Sequence, residues 1–119
     1  MFWARSPRVS APPAGSNRYS HPKIAWTGPV PGGSASFFVI TATSQKGRLA
    51  YWWRQAGLTS WNLETVASAG KHAAYANAAI SVTGSSVIIT AINTKPGDVN
   101  FWYQKFTTTR WHRQLVAGG

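Results

Sequence analysis

A tandem repeat of about 50 residues runs through this 119-residue chain, and it restricts the accessible folds more than any other feature. Phe37-Phe-Val-Ile-Thr-Ala42 aligns with Ser86-Val-Ile-Ile-Thr-Ala91 at an offset of 49. One extra residue at Pro96 raises the offset to 50. Tyr51-Trp52-Trp53 then aligns with Phe101-Trp102-Tyr103, Trp61 with Trp111, and Val66-Ala67 with Val116-Ala117. Upstream, residues 19–28 align with 75–84 at an offset of 56, and Tyr19/Tyr75, Ile24/Ile80, Thr27/Thr83 and Gly28/Gly84 are identical pairs. Extra Pro, Gly and Ser residues in the loop 29–36 absorb the longer offset. The repeats divide the chain into residues 19–70 and 71–119, preceded by 1–18. In that leading segment Phe2-Trp3 reads as the trace of a truncated copy or as a flexible N-terminal stretch.

Each copy reads as four short β-strands: 23–27, 37–43, 49–55 and 61–67, then 79–83, 87–93, 99–105 and 111–117. These segments are rich in Val, Ile, Thr and aromatic residues, which suit a pleated, half-buried surface. Gly28, Gly47, Gly57, Gly84 and Pro96-Gly97 stand between them as turn residues. The Ala-rich stretch 64–79 has helix propensity as an alternative. Against it, Gly70 lies inside the stretch and Ala78 aligns with Pro22, so a strand end and a connection fit both copies better.

Alternation along the third strands sets the architecture. Leu49, Tyr51 and Trp53 lie on one face and Ala50, Trp52 and Arg54 on the other; Val99, Phe101 and Tyr103 oppose Asn100, Trp102 and Gln104 in the same way. Aromatics on both faces call for a sheet covered on both sides. The expected fold is therefore all-β, with two four-stranded antiparallel propeller-type blades. Two blades make an incomplete β-propeller, to be closed by homo-oligomerisation or by further repeats of a longer parent chain. A simple sandwich of two sheets is the second architecture compatible with the pattern.

Composition narrows the function classes. Twelve Lys and Arg stand against Glu64 and Asp98, a formal net charge of +10, which attracts anionic polymers such as nucleic acid or acidic polysaccharide. The basic residues are scattered singly and form no basic arm or helix, which weighs against a dedicated nucleic-acid reader. There is no Cys, so disulfides and thiolate metal sites are excluded. No apolar run approaches the length of a membrane-spanning helix, and no membrane role is expected. No signal peptide is visible, which reads as a cytoplasmic protein, or as a secreted one if the natural N-terminus lies further upstream.

Strand alternation gathers polar residues at one end of each blade: Tyr19, Ser20, His21, Lys46 and Arg48 in the first copy, and Tyr75, Asn77, Lys95 and Asp98 in the second. An aromatic face beside donors and acceptors is what sugar recognition uses. The candidate ligand-binding residues are thus Tyr19, His21, Arg48, Trp52, Tyr75, Asn77, Asp98 and Trp102. The competing reading makes Tyr19 and Tyr75 packing anchors and the Trp residues inter-blade core. His21, His72 and His112 show no metal-ligand spacing, so neither metal nor cofactor is expected. Two carboxylates, aligned with Arg48 and Gln114 in the opposite copy, do not form a paired acid and base, and no nucleophile elbow or phosphate loop is present. The expectation is a non-enzymatic protein.

Ile24-Ala-Trp-Thr-Gly28, Val39-Ile-Thr-Ala42, Tyr51-Trp-Trp53 and Trp61…Val66-Ala67, with their second-copy partners, resemble the blades of tectonin-like and bacterial lectin β-propellers. The resemblance covers residues 19–119 and implies a lectin-like, glycan-binding module. Sialidase-type propellers are similar in architecture, but their Ser-x-Asp-x-Gly-x-x-Trp box is missing here. The alternative from another class is a structural or interaction segment whose basic surface meets an anionic partner.

Overall fold

A computed structural model describes residues 18–30, 35–106, 108 and 110–118. The trace of an earlier copy at Phe2-Trp3 lies outside these residues. Among the described residues, eight strands form two antiparallel sheets in simple up-and-down order. The first sheet holds β1 (Tyr19–Trp26), β2 (Phe37–Ser44), β3 (Leu49–Gln55) and β4 (Asn62–Ala67). The second holds β5 (Tyr75–Thr83), β6 (Ser86–Asn93), β7 (Asp98–Lys105) and β8 (His112–Ala117). The described residues contain no helix. The Ala-rich stretch instead ends β4, turns through a bridge between Gly70 and Ala73, and enters β5.

Irregularities repeat as faithfully as the strands do. The β1–β2 register shifts between Ser20 and Lys23, and the β5–β6 register between Ala76 and Ala79. At each shift one residue adopts a left-handed backbone, His21 at φ 53° and Asn77 at φ 54°. The β3–β4 and β7–β8 pairs slip alike, at Leu49/Ala50 and Val99/Asn100. Such bulges add a residue to one strand and increase its twist.

The bulges correct one sequence expectation. The first strands were expected to begin at Lys23 and Ala79, with Tyr19, Ser20, His21, Tyr75 and Asn77 in loops before them. Both strands instead begin at the tyrosine, because the bulge absorbs the proline-bearing step at Pro22 and its counterpart Ala78 and lets pairing continue beyond it.

The two sheets meet through unlike faces. Call the face of Ala50, Trp52 and Arg54, and the equivalent face of Asn100, Trp102 and Gln104, the front; directly paired residues share a face. Val39, Leu49 and Tyr51 from the back of the first sheet form one buried cluster with Tyr75, Val87, Ile89, Ala91 and Trp102 from the front of the second. A smaller cluster, Ala42, Ala50 and Trp52 with Tyr19, Ile40 and Trp61, lies on the front of the first sheet. Closest backbone approach between the sheets runs along β5, against β1, β2 and β3. There the side chains are small, as at Ala25 and Ala78, whereas Tyr51, Trp53, Trp102 and Trp111 fill the space between the third and fourth strands.

Backbone hydrogen bonding ties the sheets at one end. The Tyr75 amide donates to the Gly47 carbonyl (2.8 Å) across the sheet boundary. Gly47 sits at φ +93°, and a Cβ there would lie 2.6 Å from Ala74 Cα. Only glycine satisfies both demands.

Candidate functional site

At the end away from Gly47 the sheets enclose an aromatic cleft of about 240 Å³, lined by Phe37, Val39, Tyr51, Trp53, Glu64, Gln104, Phe106 and Thr108. Alternation places it there. Tyr51 and Trp53 share the back face of β3, and Glu64 pairs with Tyr51 across β3–β4, so the carboxylate rises beside both rings. From the opposite sheet Gln104 projects off the front of β7, and Phe106 follows the end of that strand.

Glu64 is the centre of the arrangement. Its Oε1 accepts from Gln104 Nε2 (2.9 Å) and Trp111 Nε1 (3.0 Å), both from the second sheet. Its Oε2 accepts from Trp53 Nε1 (3.1 Å) in its own sheet. The single Glu of the chain is thus held by three neutral donors, two of them across the interface. A carboxylate has about four lone-pair directions, so capacity for a further donor remains. Tyr51 packs edge-on against Trp111, with ring centroids 5.0 Å apart. Burial, and secondarily the Glu64 carboxylate, push the Tyr51 phenol well above its usual pKa, so it stays protonated as a hydrogen-bond donor.

A second, polar hollow of about 320 Å³ lies at the Gly47 end, lined by Ser20, His21, Thr43, Ser44, Gln45, Lys46, Gly47, Ala74, Tyr75, Ala76, Asn77 and Thr94. It gathers three of the candidate residues named from sequence: His21, Tyr75 and Asn77. The exposed bulge residues His21 and Asn77 come to it from equivalent positions of the two sheets, and His21 Nδ1 lies 3.2 Å from Ser20 Oγ. Tyr75 is 6% exposed, which leaves little of its ring open to a ligand.

The remaining candidates are not brought together there. Trp52 and Trp102 are 4% and 2% exposed. Each meets the tyrosine of its own repeat edge-on: Tyr19 on Trp52 at 4.9 Å and Tyr75 on Trp102 at 5.3 Å. These pairs are packing anchors. Arg48 donates from Nε (2.9 Å) and Nη2 to Thr65 Oγ1, and Asp98 opens β7 opposite Asn93. Glu64 and Asp98 therefore lie in different surroundings, one in the aromatic cleft and the other at a strand start. Among the described residues no group of three or more His, Asp or Glu side chains is gathered that could hold a metal ion.

Sequence reasoning missed the cleft. Its members were visible as aromatic strand residues and as an unusual acid, but Gln104 and Phe106 become neighbours of Glu64 only when a back face meets a front face. The isolated Glu64 in a chain of +10 charge was the available signal. No protein-family model, curated protein or solved structure matches the chain.

Proposed function

We propose that the chain is a non-enzymatic carbohydrate-binding, lectin-like β-propeller module whose glycan site is the aromatic cleft between its sheets. One observation carries the reading: half-buried Phe37, Trp53 and Phe106 surround a carboxylate and an amide. Ring faces suit the apolar C–H surface of a pyranose, while Glu64 accepts from hydroxyls and Gln104 supplies an amide oxygen as a further acceptor. Stacking of two four-stranded repeats, front on back, supports the propeller part of the reading.

Screening a broad glycan array tests it. Binding should be detected, and Phe106→Ala and Trp53→Ala should weaken it about tenfold, the value of one aromatic contact, with the β-sheet circular dichroism retained. Tyr19→Ala and Tyr75→Ala should act through stability instead. A silent array removes the reading.

The net charge of +10 favours a second reading, a structural or interaction segment meeting an anionic polymer. Heparin or DNA binding that collapses as salt is added, alongside a silent array, would select it.

A further inference from the structure

We propose that the front of the first sheet seats the back of the second sheet of another copy of this chain, so that copies associate head to tail as the repeats do within one chain. This surface is separate from the glycan cleft and does not depend on the carbohydrate reading.

The internal junction supplies the template. Because it joins unlike faces, it leaves a front at one end of the pair and a back at the other, and these are the same two kinds of surface that already fit each other. Ile80 and Val82 on the front of the second sheet pack against the shared core. Their counterparts in the first sheet, Ile24 and Trp26, are 64% and 51% exposed, and Leu63 on the same face is 43% exposed. At the margin of the front, Ile24 and Trp26 are thus open where Ile80 and Val82, at the equivalent positions, pack against the neighbouring sheet. The centre of the first front, Ala42, Ala50 and Trp52, is already buried, so the open part is its apolar margin together with Arg54 and Trp61.

Polar groups match in the same sense. Within the chain, Gln104 and Trp111 on a front donate to Glu64 on a back. The residues 50 positions earlier, Arg54 and Trp61, stand on the free front, where Arg54 lies over the Phe38 and Trp61 rings at 5.2 and 5.0 Å. Buried Nε of Arg54 has no hydrogen-bond partner among the described residues. The counterpart of Glu64 is Gln114, exposed on the free back, with an amide oxygen able to accept from both donors. Each junction thereby holds one charged group and one amide, with their sides exchanged.

The residues of the turn contact recur as well. Gly47 accepts from the Tyr75 amide, and their counterparts are Gly97, at φ 89°, and Tyr19. Heterologous contacts of this kind close into rings when the rotation per unit allows it. With two sheets per copy and roughly four to eight blades in a closed propeller, a ring takes about two to four copies.

Light scattering with sedimentation velocity on the full chain at tens of micromolar tests the proposal. A discrete oligomer is expected, tightening with moderate added salt because each copy carries +10. Gln114→Arg, at an exposed position, should dissociate it by placing a cation against Arg54. Arg54→Glu should retain association, because a carboxylate against an amide is the pairing of the internal junction, and combining it with Gln114→Arg should restore what Gln114→Arg alone loses. Gln114→Glu should tighten the oligomer by roughly five- to tenfold, since a carboxylate then faces the guanidinium. A monomer under these conditions overturns the proposal. So does an oligomer indifferent to Gln114→Arg and Gln114→Glu.

Discussion

Two glycines with nearly the same backbone angle separate conformational strain from steric exclusion. Gly47 and Gly57 sit at φ +93° and +89°, but a Cβ on Gly47 would meet Ala74 Cα at 2.6 Å, whereas a Cβ on Gly57 meets nothing within 4 Å. Gly57→Ala should cost about 1–2 kcal/mol, the left-handed penalty alone. Gly47→Ala adds an overpacking term of about 1–3 kcal/mol and loosens the Tyr75–Gly47 hydrogen bond between the sheets. Urea denaturation of both variants should show the gap, and equal losses would mean that the turn moves freely away from β5. Tyr51 makes a pH prediction at the same scale. Its phenol has a raised pKa in the fold, from burial first and Glu64 second, so the neutral form is preferred there. The associated stability is fully present below the unfolded tyrosine pKa of about 10 and is lost as pH rises beyond it. Tyr51→Phe should therefore flatten the alkaline fall in stability above pH ~10, as read by denaturation at a series of pH values.

Strands and sheets depend on how the Glu64 carboxylate couples them. Glu64→Ala leaves Trp53 Nε1, Gln104 Nε2 and Trp111 Nε1 without their acceptor. A loss of about 2–3 kcal/mol is expected, typical of stranded donors and a missing charged acceptor. Tryptophan fluorescence should shift with it, because two of the three donors are indoles. A loss under about 0.5 kcal/mol would mean that apolar packing alone joins the sheets. At this scale much was legible: β3 is placed as expected, and the other strands differ at their ends. Strand alternation also read the two faces of β3 and β7 correctly. The bulges were not legible, since nothing local forces His21 left-handed; Asn77 and Pro22 were the only hints, the former for its tolerance of positive φ and the latter for its missing amide.

For the molecule as a whole, the proposed stacking of copies, an exposed apolar margin on one outer face against an exposed amide on the other, is expected to make stability depend on concentration. If copies stack, ligation of the folded state by its own kind raises the unfolding midpoint as protein concentration increases. Calorimetry over a hundredfold concentration range should show the midpoint rising in wild type and level in Gln114→Arg. A flat wild-type midpoint would make the two-sheet unit self-sufficient. The same dilution series separates charge effects: added salt should raise the midpoint by relieving repulsion among cationic copies, whereas it would weaken binding to an anionic polymer.

The amino-acid sequence by itself determined what is local and periodic: eight strands, their turns, their grouping by four, and the presence of apolar side chains on both faces. Those properties follow from residue spacing and are stated twice, once in each repeat. Only the tertiary structure decided which face meets which, and with that the fate of every aromatic residue. Trp52 and Trp102, equal in sequence, become outer and inner anchors, and Glu64 gathers donors 40 and 47 residues away. Alternation tells a strand that it has two sides to cover. The choice between them is made by volume and hydrogen-bond complementarity across the junction, which no single stretch of chain contains.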